Sequence, residues 1–337
     1  MHFFTDPTAV TFAFTDKVFQ ISSVFCEFSL FGHDVTIKWY GVIIALGFTL
    51  AALFGGRIAW TWRIDLGKMV DVLIWGSIAG IVGARLYYVF SKWSWYSAHP
   101  LEIPQIWHGG LAIYGGIIGG LIAGYIVCKK EKINVRNLLD MVGMSLLIGQ
   151  GIGRWGNFAN QEAFGVNTDS IFGMWSEKTA AYISESQAFL LEHGIEADPM
   201  KPVHPTYLYE SLWCLVGFLL IYITLKKFRK FSGQMFLEYG IWYGTGRAVF
   251  EGMRTDSLYL GNTDIRVSQL LSAVVVVIFA VLLVVGLVRH KLYPAPIEGV
   301  DYFPEGSRVP KKEREALAAR EAAKAAETAQ EDKNDET

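Results

Sequence analysis

Five apolar runs constrain this chain more than any other feature: about Trp39–Trp60, Val70–Phe90, Leu111–Cys128, Tyr207–Leu225 and Val267–Val288. Each is close to the roughly 20 residues that a helix needs to cross a bilayer. In hydrocarbon, backbone N–H and C=O groups must be satisfied within the segment, so runs of this length predict helices. Only 18% of the residues are charged and 52% are hydrophobic, against about 25% charged in an ordinary soluble domain. Glycines sit inside the runs. Gly76 with Gly80, Gly115 with Gly119, and Gly116, Gly120 and Gly124 give small-xxx-small faces for close helix packing, a gap for substrate being the alternative.

Two weaker segments, Asp140–Asn160 and Gln234–Met253, are decided by charge. Lys and Arg cluster at Arg57, Arg63 and Lys68, at Lys129, Lys130, Lys132 and Arg136, at Lys226, Lys227, Arg229 and Lys230, and at 289–291. The positive-inside rule puts all four clusters in the cytoplasm. The chain must then cross an even number of times between successive clusters, so both weaker segments cross. The expectation is an all-α polytopic membrane protein of seven transmembrane helices, N-terminus outside and C-terminus cytoplasmic. Residues 1–36 are expected as an extracytoplasmic or interfacial arm with a short hairpin. Residues 37–290 form the membrane domain, whose acidic outer loop 161–205 is long enough to be functional. Residues 291–337 are a charged cytoplasmic tail, helical in solvent or disordered. The N-terminus lacks a basic n-region and a small-residue cleavage site, so the chain is expected to be retained whole.

Cys26, Cys128 and Cys214 have no CxxC spacing and cannot form an even disulfide framework. The histidines show neither HxxxH nor HExxH spacing, so no metal site is expected. Gly151-x-Gly153-x-x-Gly156 fits a dinucleotide fingerprint by letter, but no strand precedes it and it lies in a membrane segment.

The polar residues in these segments are costly in lipid and therefore informative. GRWGNFANQE places Arg154, Asn157, Asn160 and Glu162 within nine residues. YGTGRAVFEGMRTD places Tyr243, Arg247, Glu251 and Arg254 four, four and three residues apart, on one helix face. An internally neutralised face, with Arg247 paired to Glu251, is the structural alternative. Taken together, the two segments carry more arginines than carboxylates, and a phosphate would complete the balance, since the planar guanidinium suits bidentate contact. WHGGLAIYGG supplies Gly109 and Gly110 for close approach, and His108 and Tyr114 for proton work. HPTYLYES puts Glu210 inside a span, where it needs a partner; Tyr40 and Arg85 add a further phenol and an intramembrane arginine.

KWYG, GARLYY, HGGLAIYGG, GRWGNFANQEAFG, HPTYLYE and YGTGRAVFEGMRTD together resemble the prolipoprotein diacylglyceryl transferase family of bacterial inner membranes, over most of residues 37 to 290. The resemblance implies that phosphatidylglycerol donates its diacylglyceryl group to the lipobox cysteine of a prolipoprotein signal peptide. A thioether forms and glycerol phosphate is released. It implies membrane lipid and prolipoprotein as partners, with no cofactor, no metal and no nucleic acid. By position, Arg154, Asn157, Asn160 and Glu162 match the family signature. Tyr40, Tyr243, Arg247, Glu251 and Arg254 match other residues implicated in binding or catalysis, and Gly109, Gly110 and Arg85 join the lipid-binding set.

One departure stands out: this chain has Tyr114 where many members carry histidine. A phenol titrates near 10 and is a weak base at neutral pH. Either Tyr114 is activated by nearby arginines, or it orients substrate while a group such as His108 takes the thiol proton. The residue types assign Arg154 and Arg247 to the headgroup and phosphate, and Glu251 to holding Arg247. Asn157, Asn160 and Glu162 then fix the glycerol and the local backbone. An anion or lipid transporter and a membrane scaffold are the rivals; a transporter would show internal repeats, and none is evident.

Overall fold

The structure is a computed structural model that describes residues 2–3, 7–30, 33–62, 64–255, 257, 259–260, 263, 265–289 and 319. Arg63, the 290–291 part of the last basic cluster and the 291–337 tail apart from Ala319 lie outside the described residues, as does the side chain of His108.

Seven long helices coincide with the seven expected segments: α1 (Trp39–Thr61), α2 (Leu66–Ser91), α4 (Ile113–Lys130), α5 (Val135–Asn160), α8 (Thr206–Lys227), α9 (Gln234–Glu251) and α10 (Val267–Arg289). A four-residue helix, α3 (Trp93–Tyr96), follows α2. Of the seven, α1, α2, α4, α8 and α10 are long and apolar enough to cross a membrane. The starts are specified locally. Asp65 accepts from Lys68 N (3.1 Å) at the head of α2, and Asn134 accepts from Arg136 N (2.9 Å) at the head of α5.

The fold is not all-α. Helix accounts for 66% of the described residues, but six strands are also present among them. The N-terminal arm, expected to hold one short hairpin, contains β1 (His2–Phe3), β2 (Pro7–Phe12), β3 (Thr15–Ser22), β4 (Val24–Leu30) and β5 (His33–Lys38). They form two antiparallel three-stranded sheets, ordered β1-β4-β5 and β3-β2-β6. The last strand, β6 (Met174–Ser176), comes from the outer loop and pairs Ser176 with Val10 and Met174 with Phe12. Arm and loop thus build one head. Val, Ile, Thr and Phe fill these strands, which suits a pleated surface. Their alternation is blurred because Phe14, Val18 and Phe19 stay exposed, so the period-two signal is weak. The loop also carries α6 (Glu177–Glu185), opened by a reciprocal Ser176/Thr179 capping box, and α7 (Gln187–Glu192).

Helix pairs pack closely where glycine removes the side chain. On α2 and α4, Gly83 and Gly115 lie against each other's carbonyls, where a Cβ would collide. On α1 and α5, Gly47 faces the Gly149 carbonyl, 3.2 Å from where its Cβ would sit. Described members of the first three basic clusters lie at one end of the bundle. Lys68 Nζ donates to the Glu131 carbonyl (3.0 Å), and Arg229 Nη2 reaches Asp140 Oδ2 (2.9 Å) beside an apolar cluster of Trp62, Ile64, Met69, Cys128 and Ile133. The head, joined to α1 through β5, marks the other end.

Candidate active site

Three helices bring their charged groups together. Arg154 of α5 places Nη2 2.6 Å from Glu210 Oε2 of α8, and Arg247 of α9 places Nη1 4.0 Å from the same oxygen. Arg247 Nη2 lies 2.6 Å from Glu251 Oε2, the i, i+4 pair read from the sequence. The carboxylates are buried, with side chains 6% and 2% exposed, while Arg154 and Arg247 keep 17% and 20%. The sequence did not place Glu210 in the site, although it required a partner for it. Its inclusion balances the two arginines with two carboxylates, so the centre is less positive than the sequence suggested. Donors nonetheless remain: among the described residues, Nε and Nη1 of Arg154 have no partner. Glu210 Oε1 is buried and also has no partner among them.

The end of α5 is shaped for a tight polar turn. Asn157 Nδ2 (3.0 Å) and Asn160 Nδ2 (3.3 Å) both donate to Glu162 Oε1. Gln161 (φ 58) and Ala163 (φ 57) flank Glu162 in the left-handed region, a strained conformation for residues with a Cβ. The surroundings enforce it: Thr206 Oγ1 donates to the Ala163 carbonyl, Gly165 N to His204 O (2.9 Å) and Val166 N to Met253 O (2.9 Å). A backbone bridge joins Gly165 to Arg254, which brings the end of α9 to this turn. Tyr40 of α1 packs against bare Gly156, 2.9 Å from where a Cβ would sit. Tyr243 stacks on Tyr239 (5.8 Å), whose hydroxyl accepts from Gln150 Nε2 (3.0 Å) of α5.

Helix α9, which carries Arg247 and Glu251, is held at both ends by other elements. Gly233 at its N-cap has no side chain, and Asp140 of α5 serves instead. Its carboxylate accepts from Gly233 N (2.9 Å) and Phe236 N (3.1 Å) as well as from Arg229. At the other end, Arg266 Nη1 donates to the Glu251 carbonyl and Gln269 Nε2 to the Ala248 carbonyl (2.8 Å). A cation and an amide thus take carbonyls left open at a helix C-terminus.

Two expected site groups are engaged elsewhere. Arg85 is buried and gives its donors to backbone carbonyls: Nε to Ile103 (2.7 Å), Nη2 to Glu102 (2.7 Å), and Nη1 to Gly109 and Gly110 (both 2.9 Å). Gly109 (φ 86) and Gly110 (φ 75) adopt positive φ, and a Cβ on Gly110 would lie 2.7 Å from the Tyr88 ring. Tyr114 of α4 is half-exposed beside Tyr87 (6.4 Å) and, among the described residues, makes no ion pair or hydrogen bond to Arg154 or Arg247. His204, at the foot of α8, has Nδ1 3.3 Å from the Tyr209 hydroxyl, and burial lowers its pKa.

Five helices long and apolar enough to span define a multi-pass membrane protein, in which ion pairs join α5, α8 and α9. The chain belongs to the prolipoprotein diacylglyceryl transferase family, which matches residues 28–285. It is 39% identical over 257 residues to a phosphatidylglycerol–prolipoprotein diacylglyceryl transferase of Staphylococcus xylosus, covering 76% of this chain and 88% of the relative. It is 42% identical over 271 residues to the protein of that name from Limosilactobacillus reuteri (strain DSM 20016), covering 80% and 94%.

Proposed function

We propose that this chain transfers the diacylglyceryl group of phosphatidylglycerol to the thiol of a prolipoprotein cysteine, with Arg154 and Arg247 receiving the phosphate. The observation that carries this reading is the shared carboxylate. Glu210 holds two guanidinium groups from different helices to one point while leaving Arg154 Nε and Nη1 to bind. In the reaction the cysteine sulfur bonds to the diacylglyceryl carbon, the carbon–oxygen bond to phosphate breaks, and glycerol phosphate leaves with the electron pair. The thiolate is the nucleophile, and preset guanidinium donors stabilise charge gathering on the leaving phosphate.

The other groups follow from placement. Glu251 fixes Arg247. The orphaned Glu210 Oε1 would accept a headgroup hydroxyl, which relieves a buried acceptor of its desolvation cost. Asn157, Asn160 and Glu162 shape the turn beside the glycerol, with Tyr40, Tyr243 and Arg254 around it. Tyr114 or His108 takes the thiol proton or orients the acceptor. Arg85, Gly109 and Gly110 hold the loop that enters α4 and border the lipid.

In the membrane, residues 37–290 would form a seven-span catalytic unit in the bacterial inner membrane. The arm 1–36 and the loop 161–205 lie outside, and residues 291–337 lie in the cytoplasm. Basic clusters at one bundle end and the head at the other favour this orientation. α5 and α9 cross despite their polar residues because those residues face partners on neighbouring helices.

The test is Arg154→Ala and Arg247→Ala in purified protein with phosphatidylglycerol vesicles and a cysteine-containing lipobox peptide. Each should lower turnover by about 10²–10³-fold, as loss of a preset charge-stabilising donor does. Full turnover by either variant would remove that arginine from the mechanism.

A further inference from the structure

Helix α8 carries Glu210 and helix α9 carries Arg247 and Glu251, and one reciprocal contact fixes how they lie together. Trp213 Nε1 donates to the Trp242 carbonyl (3.0 Å), and Trp242 Nε1 donates to the Trp213 carbonyl (2.9 Å). The two rings stack with centroids 4.3 Å apart and planes 19° apart. Each indole rests on the glycine four residues beyond the other tryptophan, Trp213 on Gly246 and Trp242 on Gly217.

That spacing has a physical cause. Helical side chains lean toward the N-terminus, so the residue at i+4 covers the carbonyl of residue i. The carbonyl already accepts the N–H of i+4, and its second lone pair takes another donor only if approached from the side. Glycine leaves that approach open, whereas a Cβ at Gly217 or Gly246 would collide with the indole. The contact is also placed where register matters. Trp213 follows Glu210 by three residues, Gly246 immediately precedes Arg247, and Trp242 immediately precedes Tyr243.

We propose that this tryptophan clasp is a positioning device, which holds α8 and α9 in the single register that lets Arg247, paired with Glu251 on its own helix, also reach Glu210 on α8. A one-residue slip would turn Arg247 by about 100° around α9 and remove it from the shared carboxylate. Trp213 and Trp242 act through Arg247, and the inference rests on the phosphate-binding role proposed for that residue.

Trp213→Phe and Trp242→Phe each keep a ring on the glycine seat and remove one N–H donor. In glycerol phosphate release, each should lower kcat about 10–100-fold, the cost of a displacement near 1 Å, with a smaller change in KM for phosphatidylglycerol. The double variant should be little worse than the poorer single, because both bonds define one register. A lowered melting temperature with kcat and KM unchanged, or strictly additive losses, would overturn the proposal. A second measurement does not depend on activity: spin labels at Val216→Cys and Val249→Cys, both exposed sites, report the α8–α9 distance. The distribution should shift or broaden in the double phenylalanine variant, and an unchanged distribution would overturn the clasp. If the unmodified protein releases no glycerol phosphate, the proposed function fails while the distance measurement still decides the register.

Discussion

Arg154 Nη2 sits 2.6 Å from Glu210 Oε2, joining the end of α5 to the first turns of α8 inside the bundle. The Glu210 carboxylate is buried while Arg154 stays partly open, and Arg247 shares the same oxygen. Breaking a buried pair by deleting one partner leaves an uncompensated charge. Glu210→Ala should therefore cost about 3–5 kcal/mol of stability and abolish turnover. Glu210→Gln, which keeps the volume, should lose less stability but still lose most turnover. Thermal unfolding in detergent and product release measure the two effects.

Asp140 is fully buried and caps a helix 93 residues away in sequence. Asp140→Ala orphans two backbone N–H groups and takes from Arg229 its carboxylate, leaving it Asn137 Oδ1 and the Trp62 ring, and should destabilise by about 3–5 kcal/mol. Asp140→Asn retains an acceptor and should lie between that variant and the parent. Chemical unfolding of the three proteins orders them; parity of Asp140→Ala with the parent would contradict the cap.

Arg85 gathers four carbonyls with one rigid fork. A lysine ammonium at this site cannot reproduce that geometry. Arg85→Lys should raise hydrogen exchange across residues 102–110 while leaving exchange in the α5 core unchanged.

His204 is held neutral because burial lowers its pKa in the folded chain. Above about pH 6.5, the unfolded value, both states are neutral and no stability is lost. As pH falls below that value the unfolded state binds the proton first, so stability declines toward the lowered folded pKa. Melting temperatures between pH 7.5 and 5 should fall, and His204→Gln should flatten that fall.

Much of this was legible in the residues. Apolar length marked five helices, and the spacing of basic clusters marked α5 and α9 where hydropathy was weak. The i, i+4 spacing of Arg247 and Glu251 gave their pair. What was hidden depends on contacts between distant segments. Nothing local says that Glu210 meets Arg154, that Asp140 caps α9, or that Trp213 seats on Gly246. The strands escaped because β2 is completed by β6, more than 160 residues later, and their exposed apolar residues obscure the alternation. That Arg85 holds a loop was hidden too, because its partners are backbone carbonyls, which no residue type announces.

The most direct test incubates the purified protein with phosphatidylglycerol and a lipobox peptide carrying cysteine or serine at the acceptor position, and follows glycerol phosphate. Release with cysteine alone is the predicted result, since only the thiol supplies an accessible thiolate nucleophile. No release with cysteine, from protein shown to be folded, would contradict diacylglyceryl transfer; equal release with serine would contradict the thiol as the attacking group.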